Sequence, residues 1–252
     1  MCYHGAGSWM MVVVLLLVGV RPPHSRVMMD AASQMVQSEI YGDFMVVMNT
    51  KVDDSSTLYT VSLPSLCNCV TACWTTNLCD SASFQTLAAG GECRLSTTGP
   101  SKTVVVSDED ARYVYWLESV NGKTWVGSDG LLYLALSQSK IFNAAAACES
   151  IPGARLGVYT TSESYQDLKK YNDQIPWNER ICVDLKKVNN ILTWGDGTPY
   201  SSTESLSPFN YVSPFNYFSD WTAAYHTLQG DTFHDQNWGE CWVLCQSNVT
   251  LN

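Results

Sequence analysis

Two stretches of this chain hold side chains whose types and spacing could do chemistry. Residues 207–218 read SPFNYVSPFNYF, one hexapeptide of Ser-Pro-Phe-Asn-Tyr and an apolar residue set twice in tandem. Two prolines and two asparagines break both a helix and a central strand, so the stretch reads as a loop, uncharged and rich in rings. Phe209, Phe215 and Phe218 are of a type that packs a loop onto its own body. Tyr211 and Tyr217 carry polar tips and are the rings expected to reach a ligand, stacking on the apolar face of a sugar. The second stretch crowds His226, Asp231, His234, Asp235 and Glu240. These could hold zinc or calcium, but no defined metal spacing is present, and a solvated acidic turn is the plainer reading. His234 and Asp235 as an acid–base pair lack a placed partner. No G-x-S-x-G, H-E-x-x-H or Gly-rich phosphate loop occurs, so no catalytic residue is assigned and the chain is expected not to be an enzyme.

Cysteines supply the other chemistry. There are ten: Cys2, then Cys67, Cys69, Cys73, Cys79 and Cys93, then Cys148, Cys182, Cys241 and Cys245. Residues 1–25 read as a cleaved secretory leader, because the apolar run from Met10 to Val20 suits a leader core and is too short to span a bilayer. No other long apolar stretch exists, so no membrane span is expected after cleavage. Behind a leader, the cysteines read as disulfides of a secreted, extracellular protein. Removing Cys2 leaves an odd number, and Cys67 is the candidate odd thiol or intermolecular bridge, a route to an oligomer. Asn248-Val249-Thr250 is an N-glycosylation acceptor. With 46% hydrophobic and 15% charged residues over 252 positions, a packed core is expected. The net charge of -10 argues against nucleic acid as a partner.

The elements that position these residues fall into two cysteine groups, with a turn signal at Asn121-Gly122 between them. FMVVMNT and TLYTVSL read as strands, SLPSLCNCVTACWTT as a short helix with cysteines on one face, and CDSASFQ and GGECRLS as short strands. In the second group, SKIFNAAAACES predicts an amphipathic helix with Phe142, Ala145 and Cys148 on one face. Thr160 and Glu163 predict a capping box that starts a helix through Tyr165, Leu168 and Tyr171. ICVDL and ILTWGDGTPY predict a strand, a turn and another strand.

The first group resembles a PAN/apple domain over residues 38–119. The likeness is carried by the C-x3-C helix at Cys69 and Cys73, the strand Cys79…Ser83-Phe84 and the closing Cys93-Arg94-Leu95. It implies the pairs Cys69–Cys93 and Cys73–Cys79, and a module that binds proteins or sugars. Residues 122–252 resemble a C-type lectin-like domain. The residues that carry this are Phe142-x-Ala144-x3-Cys148, Leu156, Glu163, Leu168, Val183-Asp184-Leu185, Trp194-x-Asp196-Gly197-Thr198-Pro199 and Val243-Leu244-Cys245-Gln246. The implied fold class is α+β: two small disulfide-stapled modules, a helix on an antiparallel sheet followed by two helices, antiparallel sheets and a long loop after Pro199.

In that family the long loop carries a Glu-Pro-Asn or Gln-Pro-Asp triplet and the next strand a Trp-Asn-Asp, which together hold calcium and sugar through oxygen ligands. Here Ser213-Pro214-Phe215-Asn216 keeps the proline and an amide but has no carboxylate before the proline. Phe233-His234-Asp235 keeps the aspartate and its distance from the end. Trp238-Gly239-Glu240 keeps the tryptophan but lies too near the final cysteine. The resemblance therefore leaves Asn216, Asp235 and Glu240 as a depleted calcium set, and Tyr211, Asn216, Tyr217 and Asp235 as the ligand-binding set. It also implies Cys148–Cys245, with Cys182–Cys241 replacing the family's inner pair. The expected function is non-enzymatic glycan recognition by a secreted glycoprotein, as in innate-immune pattern recognition. The alternative is a protein-interaction or adhesion module whose lectin fold has lost calcium-dependent sugar binding. The expected partners are glycans or extracellular proteins.

Overall fold

The computed structural model describes residues 33–172, 180–189, 191–202, 224–227, 232–235 and 239–251. The protein is a mixed α+β structure with four disulfides between described residues.

The N-terminal half begins with β1 (Ser33–Val36) and β2 (Phe44–Val52). Then come β3 (Tyr59–Leu63), α1 (Leu66–Thr75), β4 (Ser81–Leu87), β5 (Gly90–Ser96) and the long β6 (Val105–Trp116). The strands lie in the order β1-β2-β6-β4-β5-β3, all antiparallel neighbours. Helix α1 starts where the Ser65 hydroxyl accepts the Asn68 amide, satisfying one of the donors a helix start leaves open. Its Cys69, Val70 and Cys73 face inward, one helical face apart by three and four residues. Cys69 is bonded to Cys93 on β5, and Cys73 to Cys79 just beyond the helix. Phe44, Val46, Phe84, Leu95, Val114 and Trp116 complete a core under the helix.

The C-terminal half follows with β7 (Gly122–Val126), β8 (Leu131–Lys140), α2 (Ala144–Glu149), β9 (Arg155–Leu156) and α3 (Ser162–Asn172). After them come β10 (Arg180–Val183), β11 (Leu185–Val188), β12 (Ile191–Trp194), β13 (Ala224–Thr227), β14 (Thr232–Asp235) and β15 (Glu240–Leu251). Strand β15 is the hub. It pairs antiparallel with β8 from Glu240↔Lys140 to Asn248↔Leu131, antiparallel with β9, and parallel with β10. Its last residues pair parallel with β1, Ser33↔Val249 through Met35↔Leu251. The two halves thus share one sheet. They also share a core, in which Met35, Met45, Val47 and Tyr115 pack with Leu132, Leu134, Ile141, Cys148, Val243 and Cys245.

Two helix details differ from expectation. Phe142 does not share a buried face with Cys148: it is 64% exposed, with the Lys140 ammonium 5.9 Å from its ring centre. The segment enters as a tight three-residue-per-turn coil at Ile141–Asn143, and that winding brings Ile141 and Ala144 inward instead. The capping box is also one residue later than Thr160 and Glu163 predict. The Thr161 hydroxyl accepts the Ser164 amide at 3.1 Å, and the Ser164 hydroxyl accepts the Thr161 amide at 3.1 Å. The tandem threonines offer two starts, and the later one puts Tyr165 and Leu168 into the core.

Buried tyrosines give the fold a pH signature. Loss of hydration pushes Tyr113 and Tyr171 up to about 12, and holds Tyr115, Tyr133 and Tyr159 higher still. The unfolded chain ionises these phenols near 10, so above that pH it binds fewer protons than the folded chain. Their contribution to stability is therefore complete below pH about 10 and falls as pH rises from there through 12. Urea midpoints between pH 8 and 12 should drop along that window, with delayed phenolate absorbance in the folded protein. Full ionisation near pH 10 without loss of stability would contradict this burial.

Candidate functional site: the mount of the aromatic segment

The residues that flank the aromatic repeat are built on a packed base. Strands β11 and β12 form a hairpin in register Leu185↔Trp194 to Val188↔Ile191. Trp194 is 1% exposed and meets Tyr159 and Tyr165 edge-on, with centroids 6.1 and 6.4 Å away, and Tyr200 at 6.0 Å. Such pairings add to the burial of the ring itself. From Trp194 the chain turns tightly. The Trp194 amide donates to the Thr198 carbonyl, the Gly197 amide to the Trp194 carbonyl, and the Thr198 amide to Asp196 Oδ1, each at 2.9 Å. Gly197 has φ +91°, a backbone region costly for any side chain. Gly195 lies so close to Asp184 that a Cβ there would meet Asp184 Oδ2 at 1.6 Å, and its amide donates to the Asp184 carbonyl at 2.8 Å. Asp184 is also paired with Lys186 at 3.0 Å. Tyr200 then opens a short coil, Tyr200–Ser202, in which the Ser202 hydroxyl donates to the Pro199 carbonyl. Residues 203–223 leave from this point.

The chain returns at β13, which pairs with β10 from Arg180↔Thr227 to Val183↔Ala224. Strand β10 is bonded through Cys182 to Cys241 on β15. The returning end of the aromatic segment is therefore tied to the hub strand, and the departing end shares a core with Leu244 of that strand.

A buried polar chain stiffens the layer beneath. The Tyr133 hydroxyl donates to Asp129 at 2.7 Å and accepts from Gln246 Nε2 at 3.1 Å, while Gln246 Oε1 accepts the Val158 amide at 2.8 Å. The buried Asp167 on α3 accepts the amide and the hydroxyl of Ser128, at 2.7 and 2.9 Å, and meets Lys170 at 3.4 Å. Every member of these chains has partners, which is what allows polar groups to be buried at low cost. This is a scaffold. The sequence signal for it was the aromatic and polar content of GVYTTSESYQDL, but no local pattern names partners almost a hundred residues away.

The candidate residues are placed unevenly. Tyr211, Asn216 and Tyr217 lie outside the described residues. Asp235 ends β14, opposite Ala224. Glu240 starts β15, exposed and opposite Lys140. Two strands, β13 and β10, separate β14 from β15 in the sheet, so the register does not set Asp235 and Glu240 side by side. Among the described residues no three His, Cys, Asp or Glu side chains cluster to hold a metal ion. Asn248 is exposed on β15, opposite Leu131. The four described bridges are Cys69–Cys93, Cys73–Cys79, Cys148–Cys245 and Cys182–Cys241, the pairs implied by the two resemblances. Cys67 is not a free thiol: it too is disulfide-bonded, to a partner outside the described residues.

No family model matches the chain, and no curated protein matches it. Among solved structures, the one titled "Structure of EPNH mutant of CEL-I" is similar at 13% identity and a TM-score of 0.38, over 49% of this chain and 92% of that one.

Proposed function

We propose that this is a secreted, non-enzymatic recognition protein that binds glycans through its C-terminal, C-type lectin-like half, with a PAN/apple-like half beside it. The observation that carries the reading is the mount. A segment rich in tyrosine and proline is strung between the packed Trp194–Tyr200 base and β13. Proline lowers the entropy lost when such a segment orders, and tyrosine offers contact area with few rotatable bonds. Four disulfides fit an oxidising compartment. Among the described residues no helix is long and apolar enough to cross a membrane. Microbial glycans, in innate-immune recognition, are the proposed target class.

One observation favours a second reading. No carboxylate precedes Pro214, so a calcium ion there has too few oxygen ligands, and a protein-binding role that has left sugar behind is the competitor. A glycan array read with calcium and with chelator separates the two. Glycan binding that survives the chelator is the expected result. Tyr211→Ala and Tyr217→Ala should each weaken it by about 1 kcal/mol or more, as at other aromatic hot spots, with the melting temperature unchanged. No glycan bound under either condition would sink the glycan reading. Normal binding by a double variant that melts early would make the tyrosines packing residues.

A further inference from the structure

A groove of about 460 Å³ lies on the N-terminal half, away from the aromatic repeat's mount. Trp74, the residue after Cys73 on α1, and Trp116, the last residue of β6, form its floor with centroids 5.9 Å apart. The indole of Trp116 is buried and donates to the Tyr41 carbonyl at 2.8 Å, which fixes it. Trp74 is 43% exposed and is held edge-on by Tyr41. One wall is the turn from Thr76 to Asp80 that the Cys73–Cys79 bridge closes. Within it Leu78 takes a left-handed φ of 70°, with its side chain 72% exposed. A leucine gains nothing from that backbone, so the bridge and the turn impose it and stand the side chain up at the groove's edge. The other wall is Glu118 and Ser119.

The charges are one-sided. The lining carries Asp80 and Glu118 and no lysine, arginine or histidine. Neither carboxylate takes part in an ion pair or side-chain hydrogen bond among the described residues. An indole face with two uncommitted carboxylates beside it suits a flat cation with several N–H donors. A guanidinium can stack on the ring and direct its edge to the carboxylates, which an ammonium does less well. We propose that this groove docks an arginine side chain presented by a basic segment of a partner protein. The site is independent of the glycan reading, because it uses other residues.

The test uses the full chain and a fluorescent, glycine-spaced peptide carrying three arginines. Its glutamine counterpart and a neutral oligosaccharide serve as controls, all read by anisotropy. The arginine peptide should bind, more weakly as salt rises, and the glutamine peptide should not. Asp80→Asn with Glu118→Gln should weaken binding about fivefold, the scale of two exposed charge pairs. Trp74→Ala should weaken it about tenfold, and Trp74→Leu, which keeps apolar bulk and helix propensity, should lose nearly as much. Melting temperatures of the charge variants should stay put, and Tyr211→Ala with Tyr217→Ala should leave peptide binding intact. Equal binding of the glutamine peptide, or indifference to the carboxylate variants, would overturn the proposal. So would an oligosaccharide that binds through Trp74 regardless of the charges, or no peptide binding at low salt.

Discussion

Replacing Cys148 and Cys245 together with alanine lowers the unfolding free energy by about 4–5 kcal/mol, on a chain-entropy argument for so long a loop. The bridge joins residues 97 apart in sequence, α2 to the hub strand β15, and both side chains are fully buried in the core that the two halves share. Opening the Cys73–Cys79 bridge, which spans only six residues, costs about 2 kcal/mol by the same relation. Because Met35 and Val47 of one half pack with Leu134 and Val243 of the other, the loss should appear as one weakened transition. Urea curves followed by near-ultraviolet and far-ultraviolet dichroism should coincide in the parent and in the variant. Two separated transitions, or a smaller loss for the long bridge than for the short one, would show that the halves stand independently.

Trp194→Ala is the second large effect, about 3–5 kcal/mol for truncating a fully buried aromatic side chain. The ring sits against Tyr159, Tyr165 and Tyr200, and no small side chain can refill that volume. The same ring supports the coil at Tyr200–Ser202, directly before residues 203–223, so ligand binding by that segment should weaken along with stability. Trp194→Phe keeps most of the apolar contact and should recover more than half of both losses. A variant that loses stability yet binds as tightly as the parent would separate the base from the binding surface.

Parts of this architecture were legible because their signals are local. Ser65 before LCNCVTAC marks a helix start, and cysteines four apart on that helix mark its inner face. The turn at WGDGTPY is written in its own glycines, aspartate and proline. Strand β1 was not legible: SQMV is four residues long, and its partners include β15 at the other end of the sheet's sequence. Strand β6 was missed for a different reason. Its first half, VVSDED, is charged and reads as a loop, yet Val105–Ser107 pair with β2, and the acidic Asp108–Asp110 are taken up in the register shift before Arg112. Strand β8 was hidden by LLYLAL, a short apolar run that suits a helix or a strand equally. At the candidate site, sequence named the turn after Trp194 but not the tyrosine base, since burial against Trp194 depends on how α3 lies over the hairpin.

The parallel contact between β1 and β15 bears on how the protein is made. A ribosome delivers the chain from its amino end, so Met35 and Val47 emerge long before Val243, Cys245 and Leu251, which cover and extend their side of the sheet. Until then β1 is an open edge over an unfinished core, the kind of surface that recruits wrong partners. Contacts between the two ends of a sequence also slow closure. A nascent chain of this design must be shielded until β15 has been delivered to pair with β1.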